Sequence, residues 1–127
     1  MVQKVELSKA GNVFRMRVKK EKAVKIEDIN SIACQIIADA GNSKSFSMEA
    51  LSHAEKGAFE AVKADLEESE KALKKAHELH TQLLVKEAQD PAAFPVTLML
   101  IHASNHLSNA EITRDFAERL IALYKNK

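Results

Sequence analysis

A chain of 127 residues with a net charge of +1 and 46% hydrophobic residues is about one domain, long enough to bury a core of its own. No apolar run approaches the roughly 18 residues that cross a bilayer, and no apolar h-region opens the chain; this excludes a membrane-spanning protein, gives no argument for export, and leads us to expect a cytoplasmic one. The single cysteine, Cys34, cannot close an intramolecular disulfide, as suits a reducing compartment, and its apolar setting in "IACQII" predicts a packed bystander.

Charge is unevenly spread from the start. Residues 1–25 hold eight basic side chains (Lys4, Lys9, Arg15, Arg17, Lys19, Lys20, Lys22, Lys25) against Glu6 and Glu21, about +6, which leaves about −5 for the rest. "VFRMRVKK" alternates as a short strand does, but with no second strand-like run to pair with it the segment reads as a mobile basic arm. A solvated tail is favoured over a docking element for an anionic membrane or acidic partner.

From residue 27 onward the spacing is helical, and three long helices are expected, folded as an antiparallel bundle. The first starts near Glu27 or Asp28, whose charges suit a helix N-terminus, carries the stripe Ile29, Ile32, Ala33, Ile36, Ala40, Leu51 and Ala54, and stops at Gly57. Gly41, inside "AGNSKS", makes a kink conceivable. The second runs from about Ala58 to Ala88 and is expected to bury Phe59, Val62, Leu66, Leu73 and Leu84, with the mixed charges of "KADLEESEKALKK" as its solvated face. After the break "QDPAAFP", Pro95 is expected as an early residue of the third helix, which continues to about Lys125.

On that third helix Leu98, Phe116, Leu120 and Leu123 form one stripe, read as the core stripe, and His102, Asn105, His106, Asn109 and Thr113 fall in the same sector. A second sector holds Leu100, Ala103, Leu107 and Ala110. A three-helix bundle hides one broad face of each helix, so the surplus argues for an oligomer with its interface along the third helix and the polar patch nearby. Folding the second and third helices about residue 91 sets His80 level with His102 and His77 level with Asn105, so that four histidines share one height; His53 is read as a surface or capping residue.

Three chemistries compete for this cluster. The imidazoles could be satisfied, half-exposed structural groups; H-x3-H and H-x2-H could bind zinc, although no H-E-x-x-H signature is present; or one histidine could carry a phosphoryl group. A neutral imidazole is nucleophilic near pH 7 and forms an easily discharged covalent intermediate, and phosphoryl transfer needs mainly positioning and charge compensation, here from Ser104, Asn105 and Asn109. No glycine-rich phosphate loop occurs, so no nucleotide need be bound.

The residues now resemble a known family. "IIADAGNSKSFSMEALSHAEKGAFEAVKADLEES" is similar to the first helix and following turn of the lactose/cellobiose-type IIA component of the bacterial phosphoenolpyruvate-dependent sugar phosphotransferase system. "AHELHTQLL" looks like that family's A-H-x-x-Q-T-x-L segment, "TLMLIHASNHL" its signature T-L-x-x-H-[GA]-Q-D-H-L-M, and "LIALYK" its ending, over about residues 28–125. The resemblance implies an all-α antiparallel three-helix bundle assembled as a homotrimer, with residues 1–25 as an arm and 26–127 as the IIA-like domain. It implies a phosphotransferase component in which His102 takes a phosphoryl group from the phosphocarrier protein and passes it to a cysteine of IIB, while the membrane component IIC imports a cellobiose, chitobiose or lactose type disaccharide. His106 would assist by hydrogen bonding, Ala103 matches the chitobiose/cellobiose branch, and neither nucleic acid nor the sugar itself is bound. The alternative is a non-enzymatic regulatory or interaction bundle of the same fold, or, further off, a zinc-binding bundle.

Four positions depart from the pattern. Ser104 and Asn105 replace the family's glutamine and aspartate, Ser108 its methionine, and His80 a glutamine of the second helix, which adds a basic group expected near His102. In the family the aspartates of three subunits hold a metal ion on the trimer axis; three neutral Asn105 amides have no repulsion for a cation to offset, so no cofactor is expected.

Overall fold

The computed structural model describes residues 5–10, 13–18 and 24–127. Three helices, α1 (Ile26–Glu55), α2 (Phe59–Gln89) and α3 (Leu98–Lys125), make an up-down-up bundle. Two strands, β1 (Val5–Ala10) and β2 (Val13–Val18), pair antiparallel ahead of it, with Val5 opposite Val18 and Ala10 opposite Val13. The bundle is all-helical, but the expectation that "VFRMRV" lacks a partner strand is corrected. Val5–Ala10 is that partner, missed because it alternates only over Val5, Glu6, Leu7 and Ser8 before Lys9 breaks the pattern; Gly11-Asn12, the sequence between the strands, is a two-residue spacing typical of a hairpin. Whether the remaining residues of the basic segment form a mobile arm falls outside the described residues.

α1 is continuous through Gly41, so the helix is not interrupted there. Its buried line is Ile29, Ala33, Ile36, Ala40, Ser43, Ser47, Ala50 and Ala54, and the flanking residues hold the glycine in register. A Cβ at Gly41 would meet nothing within 4 Å, so Gly41→Ala is expected to stabilise the fold by up to about 1 kcal/mol, read as a higher urea midpoint. Cys34 lies off the buried line and is exposed, which corrects the packed reading.

The stop at Gly57 is a Schellman turn. Gly57 takes φ 74°, a left-handed conformation that a glycine adopts without a Cβ clash. The Gly57 amide donates to the Ala54 carbonyl at 3.0 Å and the Ala58 amide to that of His53 at 2.9 Å, which satisfies the last carbonyls of α1 and reverses the chain.

α2 buries one residue in every seven: Val62, Ser69, Ala76 and Leu83. Phe59, Leu66 and Leu73 are only half-buried, and Leu84, expected inside, is 53% exposed while Leu83 takes the inner place. Small residues dominate the contact layers, so α1 can lie close to both partners. At mid-height the layer is polar: Ser69 Oγ donates to the Ser43 carbonyl at 3.0 Å and lies 3.1 Å and 2.7 Å from the hydroxyls of Ser43 and Ser47. With one proton per hydroxyl the set closes, since Ser43 and Ser47 donate into the two lone pairs of Ser69. Ser69→Ala is therefore expected to destabilise the protein by about 1–3 kcal/mol in urea unfolding, because two buried donors lose their acceptor.

The third helix corrects the sequence reading twice. Pro95 precedes it, after a short 3-10 turn at Pro91–Ala93, and Thr97 caps it by accepting the Leu100 amide on Oγ1 at 3.1 Å. The two faces are also interchanged: Ala103, Leu107, Ala110, Ala117 and Ile121 form the buried side, whereas Leu98 is 82% exposed, Phe116 62% and Leu123 65%. Alanines let α3 approach α1, and the larger side chains are left facing outward.

Candidate active site

His102 and His106 stand one turn apart on the outward side of α3, His102 exposed and His106 half-buried. Their Nε2 atoms are 3.1 Å apart and the rings meet edge-on, at 89° with centroids 4.5 Å apart. Two neutral rings share one proton across such a contact only when one carries its hydrogen on Nε2 and the other on Nδ1. One Nε2 is then a bare lone pair, and the adjacent N–H marks the place where an incoming oxygen would be received.

The surroundings favour an anion. Between Asp90 and Glu111 the sequence holds no charged residue, so no carboxylate of this stretch opposes a phosphoryl group. His102 is the fifth residue of α3 and its side chain leans toward the helix N-terminus, where the peptide dipoles favour negative charge. Asn105 is exposed on the same outward side and Ser104 is half-buried.

His80 goes elsewhere. Its Nε2 is 3.0 Å from Ser104 Oγ, and that hydroxyl lies 3.1 Å from the Leu100 carbonyl, to which it donates its only hydrogen. His80 must therefore donate from Nε2, which fixes its tautomer. The pair lines a cleft of about 190 Å³ between α2 and α3, with Leu83, Phe94, Val96 and Leu100 among its walls. His77 meets Glu111 across the same helix pair. The expected pairing of His80 with His102 and of His77 with Asn105 is thus displaced along α3, because the Asp90–Thr97 connection is not helical and takes up length. The four imidazoles do not converge: one pair lies along α3, and His80 and His77 each bond a residue of α3 on its α2 side.

Among the described residues, the three-residue grouping of potential metal ligands is Glu49, His53 and Asp65, not the imidazole patch, which leaves a zinc site built from His77, His80, His102 and His106 without a basis. An axial cation like that of the implied trimer does not fit Asn105 either, an exposed amide in a stretch without carboxylates. Two partners went unnoticed in the sequence, Glu111 for His77 and Asp65 for His53; both join different helices, so no local spacing announced them.

Comparison with known proteins adds independent findings. Residues 31–125 match the family model described as the lactose/cellobiose specific IIA subunit of the PTS system. The lichenan-specific phosphotransferase enzyme IIA component of Bacillus subtilis is 36% identical over 99 residues, which cover 78% of this chain and 89% of that protein. The crystal structure of the PTS cellobiose specific enzyme IIA from Bacillus anthracis superposes with a TM-score of 0.72 at 34% identity, over 76% of this chain and 87% of that one. The IIA(Chitobiose) chain solved in complex with HPr from Escherichia coli gives a TM-score of 0.68 at 31% identity, over 77% and 94% of the two chains.

Proposed function

Since the chain belongs to the lactose/cellobiose-specific IIA family of the sugar phosphotransferase system, we propose that His102 is its phosphoryl acceptor. The carrying observation is the 3.1 Å contact between the Nε2 atoms of His102 and His106. With the shared proton on His106, the lone pair of His102 Nε2 attacks the phosphorus of a phosphohistidine on the carrier protein. The N–P bond to the donor ring breaks as the bond to His102 forms, and the donor imidazole leaves with its electron pair. His106 then turns its N–H onto a phosphoryl oxygen, so the donor that held the resting lone pair stabilises the new charge. Discharge is the same step in reverse order, with a cysteine thiolate of IIB as nucleophile.

The partners follow from chemistry at the surface. The IIA(Chitobiose) relative is solved with HPr, and here Val96, Leu98 and Ile101, each more than half exposed, offer an apolar rim beside His102 on which a carrier can dock. Among the described residues no helix is long and apolar enough to cross a membrane, so we read the protein as cytoplasmic, meeting the membrane component IIC only through IIB. The outward apolar side of α3 supports a homotrimer in which this helix is the seam. Residues 1–25 are read as a separate basic arm ahead of the 26–127 domain. His80, tied to Ser104, acts on the site by holding the α2 side of α3. Incubation with phosphoenolpyruvate, the general transferase and the phosphocarrier is expected to introduce about one acid-labile phosphate per chain; a protein that stays unlabelled beside competent upstream proteins would refute the reading.

A further inference from the structure

At the end of the bundle remote from His102, three side chains that the phosphoryl reaction does not use meet across the α1–α2 hairpin. Glu49 and His53 are one turn apart on α1 and Asp65 stands on the second turn of α2, with one ligating atom from each lying within 4.8 Å of the others. His53 Nδ1 and Asp65 Oδ2 are 2.6 Å apart, in side chains 30% and 15% exposed. Among the described residues no lysine or arginine ion-pairs with either carboxylate. Two acids in a half-sheltered corner thus have one imidazole as their neighbour. His53 is at the height of the Ala54, Ala117 and Ile121 cluster, some fifteen residues along α3 from His102, or roughly 22 Å at the rise of a helix.

We propose that Glu49, His53 and Asp65 form a binding site for a zinc ion. Positions i and i+4 of a helix present two ligands to one ion, and the third comes from the facing helix. One imidazole nitrogen and two carboxylate oxygens suit zinc, with a water molecule as fourth ligand. Metal–ligand bonds of about 2.0–2.2 Å need donor atoms about 3.4 Å apart, so the His53–Asp65 contact opens by less than about 1 Å while exposed Glu49 rotates inward. His53 binds through Nδ1; in a neutral ring the displaced proton is carried on Nε2 instead. The dication balances the two carboxylates and ties the last turns of α1 to the first turns of α2.

The site is independent of the phosphoryl reading, and its test is too. Tag-free protein is titrated with zinc chloride while the histidine ring signals are followed by NMR, and the urea midpoint is measured with and without zinc. The His53 ring is expected to respond at the lowest zinc concentration, with a raised urea midpoint. Glu49→Gln and His53→Gln are expected to weaken this binding at least thirtyfold and to remove the stabilisation, while label incorporation at His102 is unchanged. Glu49 is exposed, so its variant folds even if that of His53 does not. Zinc that moves only the His102 and His106 signals, or variants that bind it like the wild type, would leave a plain His53–Asp65 ion pair and overturn the proposal.

Discussion

His102→Ala is expected to abolish the acid-labile phosphate that the wild-type chain acquires from the phosphocarrier. A phosphoryl group on imidazole is held by a single N–P bond, and no other side chain in the patch can replace the nucleophile without moving. His106→Ala is the informative companion. It keeps the acceptor but removes the group 3.1 Å from its Nε2, so labelling should continue at a rate lower by about 10²-fold, the scale of one lost charge-stabilising donor. His106→Gln, which restores an N–H at similar reach, should recover much of that loss. His77→Ala should label normally, since its partner is Glu111 on the α2 side of α3. Equal label in wild type and His102→Ala, measured by acid and alkali stability of the bound phosphate, would assign the acceptor elsewhere.

These variants also show how far the chain could be read without coordinates. The bounds of α1 and α2 and the reversal at Gly57 were legible because they depend on local chemistry, acids at an N-terminus and a left-handed glycine, whereas the prolines announced the break before α3 but not its start, which the Thr97 cap sets two residues beyond Pro95. The His102–His106 contact was legible for the same reason, being a one-turn spacing on one helix. The sides of α3 were not. Its buried line is mostly alanine, a weak signal, while Leu98, Ile112, Phe116 and Leu123 point outward, and apolar periodicity does not distinguish a face packed on its own chain from one awaiting another. Likewise the pairing of His80 with Ser104 instead of His102 depends on how much length the Asp90–Thr97 connection uses, which no periodicity encodes. Asp65 beside His53 is a contact twelve residues apart across a turn, and only the packing of α1 on α2 brings it about.

Phe116→Asp is expected to convert the proposed trimer into single 14.1 kDa chains in sedimentation, with helix content retained. Beyond the His102 end, the outward residues Asn105, Asn109, Ile112, Phe116, Leu120 and Leu123 recur at steps of three and four, the period at which one helix presents a continuous seam to its neighbours. Phe116 is 62% exposed in the chain alone, so a carboxylate there costs the monomer little. Around a threefold seam it costs far more: each copy forfeits about 1.5–3 kcal/mol of phenylalanine burial, and three like charges are brought together near one axis with their hydration reduced. Chelator is expected to leave the proposed trimer intact, because its polar layer at Asn105 and Asn109 carries no charge that a cation would have to neutralise. A Phe116→Asp protein that still sediments as a trimer would mean that α3 is not the seam, and dissociation of the wild type by chelator would mean that a cation, not apolar contact, holds the subunits together.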